Sequence, residues 1–173
     1  MREEATVDLV HIEDIKRLKS RYCRYIDSKR WDRLKDRFTP DLQLGGSTII
    51  DGDGSTFVAD LARRLEAAMT AHHCHTPEIR LTGPNAAEGV WAMMDLIEWP
   101  YPVDLKNFSG ARSFHGTGFY EERYRWDNGQ WRIAFICLTR TRFEQLIHGA
   151  RPSGFDVFAG LRGFTPPSRD WMR

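Results

Sequence analysis

A chain of 173 residues is long enough for one compact domain with an enclosed ligand cavity, and its 25 basic and 24 acidic residues nearly cancel. That balance leaves no chain-wide field to hold a phosphate backbone or an anionic bilayer, which argues against nucleic acid and membranes as partners. The opening MREEATVDLVHIEDIK carries charge where a signal peptide needs an apolar segment, and no apolar run approaches the thickness of a bilayer. Three widely spaced cysteines, Cys23, Cys74 and Cys137, suit reduced thiols better than a disulfide framework, so a cytoplasmic protein is expected.

Along the chain, Ile12, Ile15, Leu18, Tyr22 and Ile26 recur at three- and four-residue steps and predict an amphipathic first helix. Trp31, Leu34 and Phe38 predict a second, short one ended by Pro40, since the residue before proline is steered away from helical geometry. Past the breaker Asp51-Gly52-Asp53-Gly54-Ser55, Ser55 or Thr56 is expected to cap a third helix carrying Phe57, Leu61, Leu65, Ala68 and Met69. Alternation then takes over in residues 72–82, 88–99 and 112–142, the last run broken by the hairpin signal Asp127-Asn128-Gly129. Helices followed by strands predict an α+β fold, with the helices on one face of a curved, largely antiparallel sheet. Residues 1–150 read as this single domain, with pocket-shaping loops at 45–56 and 100–111. The aromatic, Gly/Pro-rich tail 151–173 reads as a lid or subunit contact rather than a second domain.

Chemistry concentrates in AHHCHTPEIRL, residues 71–81. On an extended strand His72, Cys74 and Thr76 face one way and His73 and His75 the other. Two histidines from one strand, with no HxxxH or CxxC elsewhere, fall short of the three or four converging ligands a zinc ion needs, so no metal site is expected. Asp27, just after Ile26, is a second candidate. The negative end of a helix dipole and a neighbouring apolar stripe both disfavour a carboxylate there, although an aspartate can also simply open the turn Asp27-Ser28-Lys29. Asp95 alternates with Trp91, Met93, Ile97 and Trp99, a face that suits either a pocket wall with one acid in it or core and subunit contact. His115, in SFHGT, is a candidate second pocket histidine.

Three stretches in order, RYIDSKRWDRLKDRFTPD, HHCHTPEIRLTGPNAAEGVW and GTGFYEERYRWDNGQWRIA, resemble the SnoaL-like branch of the nuclear transport factor 2-like superfamily over roughly residues 10–143. The resemblance implies a cone-shaped α+β barrel, three helices covering a strongly bent sheet with a deep, mostly apolar pocket between them. It also implies an aspartate–histidine pair of the kind used by the scytalone dehydratase, bile-acid dehydratase and hexachlorocyclohexane dehydrochlorinase groups. Asp27 and His72 fall at the matching positions. Thr76 stands where the family often has Asn, which keeps His73 as the alternative. Tyr22 resembles the pocket tyrosine of the bile-acid dehydratases and stands where the dehydrochlorinases have lysine, which argues against dehalogenation. A basic residue of the last strand enters such pockets, here Arg140 or Arg142.

The function implied is a cofactor-independent lyase of dehydratase type, needing neither metal nor organic cofactor. His72, oriented by Asp27, would take a proton beside a carbonyl of a small, mostly apolar, cyclic, polyketide- or steroid-like ligand, with Tyr22 polarising that carbonyl or assisting departure of the hydroxyl. His115, Arg140, Trp91 and Asp95 would line the substrate site. An isomerase or cyclase working through the same pair, and a non-catalytic ligand-binding or oligomerisation module, are the alternatives. Relatives of this kind imply a homodimer or homotrimer.

Overall fold

Six side chains of the first helix, α1 (Arg2–Asp27), are buried at three- and four-residue steps: Ile15, Leu18, Lys19, Tyr22, Cys23 and Ile26. They form one stripe facing the sheet. This computed structural model describes residues 2–46, 53–105 and 108–146, so the tail at 151–173 and residues 47–52 of the 45–56 segment lie outside the described residues. A turn in which Lys29 takes a left-handed φ of 57° leads into α2 (Trp31–Lys35), then β1 (Phe38–Gly46) and α3 (Gly54–Leu65). Four long strands follow: β2 (Met69–Gly83), β3 (Ala86–Leu105), β4 (Phe108–Asp127) and β5 (Gln130–Gln145).

The sheet runs β1-β5-β4-β3-β2, with β1 parallel to β5 and the other pairs antiparallel. The fold is thus the expected α+β cone, with helices packed against a curved, mostly antiparallel sheet. Asn128 and Gly129, at φ 50° and 77°, make the tight β4–β5 turn that Asn-Gly favours.

Sequence and structure part company in four places. The second helix ends at Lys35, so Phe38 belongs to β1 instead, and Pro40, expected to stop that helix, lies within β1, where a proline is tolerated because β1 is an edge strand. Helix α3 is capped by Asp53, whose carboxylate accepts from the Thr56 amide at 2.9 Å, rather than by Ser55 or Thr56. It ends at Leu65, and Met69 opens β2. Residues 100–105 and 108–111 of the expected 100–111 loop are strand.

The interior is aromatic at its centre. Tyr22 meets Phe38 and Tyr120 edge-on at 6.1 and 5.9 Å, and Phe38 meets Phe57 at 5.5 Å. Such contacts add about 0.5–1.5 kcal/mol each beyond burial.

Candidate active site

Helix α1 ends where β2 begins to cross it, and that crossing sets Asp27 against His72. Imidazole Nδ1 lies 2.7 Å from Asp27 Oδ1, and the His72 backbone amide donates to Oδ2 at 2.9 Å. Thr70, two residues earlier on the same strand face, donates its hydroxyl to Oδ1 at 2.8 Å and accepts from Lys29 Nζ at 3.1 Å. The cost the sequence implied for a carboxylate at a helix C-terminus is therefore met by donors arriving from β2. A carboxylate can only accept, so the bonded Nδ1 carries the hydrogen, and in the neutral imidazole it is Nε2 that keeps a lone pair. No hydrogen bond to Nε2 is made among the described residues. The imidazole side chain is 6% exposed, and its carboxylate partner 28%.

Across the sheet His72 pairs with Asp95, and Asp95 with Gly116, so all three positions share the inner face. Asp95 is fully buried and receives a bidentate pair of hydrogen bonds from Arg140, at 2.9 and 2.6 Å. Gly116 makes room for this: a Cβ there would run into the guanidinium and lie 2.6 Å from Asp95 Oδ1. The guanidinium also lies 5.3 Å from the ring centres of Phe114 and Phe143, which fixes its plane. Burial works against the Arg140 charge, but hydrogen bonding and attraction from Asp95 prevail and push its pKa above the ordinary arginine value.

Behind the dyad lies Tyr22. Burial, with the nearby Cys23 and Glu122, raises its phenol well above the ordinary value, so it stays protonated, and its hydroxyl engages that of Tyr120. Lys19 sits over both rings, 4.1 Å from the centre of Tyr22 and 3.5 Å from that of Tyr120. Its ammonium pairs with Glu122, which accepts from the Tyr124 hydroxyl at 2.5 Å, and that oxygen accepts from Trp91 Nε1 at 2.7 Å.

The sequence profile of the SnoaL-like domain matches residues 8–136. This chain is a member of the SnoaL-like family. A relative named a probable cyclase, FGR4, of Gibberella zeae is 26% identical over 144 residues, covering 76% of this chain and 92% of its own. Among solved structures, a candidate scytalone dehydratase of Novosphingobium aromaticivorans superposes with a TM-score of 0.71 at 16% identity, over 88% of this chain and 99% of that one. The type 3 LinA hexachlorocyclohexane dehydrochlorinase of Novosphingobium barchaimii gives 0.65 at 16% identity, over 88% and 100%. At such identities the structural likenesses establish the fold.

Within this SnoaL-like chain α1 brings Asp27 and Tyr22 to the inner face of the sheet, which carries His72, Asp95 and Arg140. The other candidates do not join them. His73 is exposed on the opposite side of β2. His115 neighbours Gly116 on β4 and so points to the outer face, where its Nε2 is buried without a hydrogen-bond partner. Trp91 is on the inner face but is packed in the core and bonded to Tyr124, two same-side positions beyond Asp95. Arg142, the alternative to Arg140, does not share its face. An extra residue, Thr141, interrupts the β4–β5 register between them, so Arg142 faces outward and pairs with Glu144.

Thr70, Lys29, Gly116 and the Lys19–Glu122 pair were not singled out from sequence. Thr70 had a signal, its alternation with His72, and so did Lys19, which interrupts the α1 stripe. Among the described residues no group of three or more His, Cys, Asp or Glu is placed to hold a metal ion, and no helix is long and apolar enough to cross a membrane.

Proposed function

We propose that this SnoaL-like protein is a dehydratase-type lyase that works by proton abstraction on a small, mostly apolar, cyclic hydroxy-carbonyl compound. The observation that carries this reading is the His72–Asp27 contact, 2.7 Å long and held from three sides. With Nδ1–H given to Asp27, His72 Nε2 takes the proton beside the substrate carbonyl, and Asp27 stabilises the imidazolium that forms. Arg140, locked by Asp95, presents positive charge toward the oxygen on which the enolate develops, and Tyr22 stays protonated as a donor to the same oxygen. Collapse of the enolate expels the hydroxide from the neighbouring carbon, and the proton on His72 leaves with it as water.

A cyclase using the same pair is the second reading, favoured by the relative from Gibberella zeae. There the enolate carbon attacks a second carbonyl instead of losing hydroxide. Product mass separates the two, because only the lyase releases water.

The experiment is a screen of cyclic hydroxy-ketones against the native protein, His72→Asn and Asp27→Asn. Turnover is expected to fall about 10²–10⁴-fold in His72→Asn, the usual worth of a general base, and severely in Asp27→Asn. Full activity in both variants, with folding intact by circular dichroism, overturns the mechanism. For assembly, Val90 and Phe119, 41% and 43% exposed near each other on the outer face, support a homodimer or homotrimer formed through the sheet.

A further inference from the structure

Two cysteines that the proposed chemistry leaves idle sit beside the dyad. Cys23 is one turn before Asp27 on α1, and Cys74 lies two residues after His72 on the same face of β2. Their sulfur atoms are 3.5 Å apart. We propose that Cys23 and Cys74 form a reversible oxidation site, a dithiol that a small peroxide converts to a disulfide joining α1 to β2 beside Asp27 and His72.

Geometry carries the argument. A disulfide bond is about 2.05 Å long, so the sulfurs need approach by only about 1.5 Å, within reach of side-chain rotation and a small shift of the helix on the sheet. The two thiols are chemically unequal. Cys23 is 8% exposed, whereas Cys74 is half-buried on the face that holds His72 and is the sulfur an oxidant reaches first. The hydrogen bond from Cys23 holds the Cys74 thiol below the ordinary value, against burial and with help from the Lys19 ammonium. The same hydrogen bond, together with burial, pushes Cys23 up. One attacking thiolate beside one resolving thiol is the arrangement a two-step oxidation uses. The third cysteine, Cys137, is opposite Glu121 on β5 and serves as an internal control.

The balance closes with hydrogen peroxide as the oxidant. The Cys74 thiolate attacks one peroxide oxygen, the O–O bond breaks, and the hydroxide released takes up the proton Cys74 had lost. Cys23 sulfur then attacks the sulfenic sulfur of Cys74, gives up its own proton, and the S–O bond breaks to release a second water. Two thiols and one peroxide become one disulfide and two waters, with both electrons passing from sulfur to oxygen.

The full chain, treated with stoichiometric hydrogen peroxide and then alkylated in denaturant, tests this without reference to any substrate, so its outcome is independent of the proposed activity. The expected result is one alkylated cysteine, Cys137, together with a cross-linked peptide pair containing Cys23 and Cys74, and full reversal by dithiothreitol. Cys137→Ser should give the same cross-link, and Cys23→Ser should leave a sulfenic acid at Cys74 that dimedone traps. Three alkylatable thiols after treatment, a bridge that includes Cys137, or Cys74 carried irreversibly to sulfinic acid in the native chain would each overturn the proposal.

Discussion

Position 116 can hold no more than a hydrogen atom while Asp95 and Arg140 keep their pair. Gly116→Ala is expected to push the guanidinium off, leaving the fully buried Asp95 without its donors and lowering stability by about 1–3 kcal/mol in urea unfolding. Gly83→Ala, where an added Cβ meets nothing within 4 Å, should stay within about 0.5 kcal/mol of the native chain. Lys29 sets a pH dependence of its own. Burial pushes its ammonium down to about 8, only partly offset by Asp27 and Glu66. Between about 8 and the ordinary lysine value near 10.5 the unfolded chain therefore binds more protons than the folded one, so the Lys29 contribution to stability rises with pH across that window. Its other neighbours, Thr70 and Trp31, do not titrate there. The buried phenols of Tyr22, Tyr120 and Tyr124 act oppositely, costing stability above about pH 10 because they resist ionisation in the fold. Comparing urea midpoints of the native chain and Lys29→Met at pH 7.5 and 9.5 isolates the lysine, and the rise should be missing from the variant.

Helix α1 shows what pattern reading catches and what it overlooks. Its apolar steps marked Ile15, Leu18, Tyr22 and Ile26 as interior, and the helix end made Asp27 a candidate. Lys19 interrupts the same stripe and so marks a buried charge, but its partner Glu122 arrives on β4 from far along the chain. Long-range pairing of that kind has no local signature. The same limit explains β1, whose partner strand begins far away, and the outward turn of Arg142, since a bulge changes parity without changing composition. His115 is the converse case: its residue type suggested a site, but its parity relative to Gly116 sends it to the other face. Because both members of the Lys19–Glu122 pair are wholly buried, Lys19→Met should destabilise by about 3–5 kcal/mol, while Lys19→Met with Glu122→Leu should recover much of that in chemical unfolding.

At the scale of the whole molecule, the dyad lies where α1 meets the inner face of the sheet, and Val90 and Phe119 are exposed on the outer face. If the proposed homodimer or homotrimer forms through this face, Phe119→Glu should reduce the mass seen by light scattering to that of a single chain while leaving the circular dichroism spectrum unchanged. An unaltered mass would place any assembly elsewhere. The β1–β5 pairing carries a further consequence, one that concerns synthesis. Phe38 waits for Ile133, and the stripe of α1 waits for strands that follow it. At about 5–20 residues per second that interval is on the order of ten seconds on the ribosome. The β1 edge therefore stays unpaired until nearly all of the sheet has been translated, longer than in a domain whose strands pair only with their sequence neighbours.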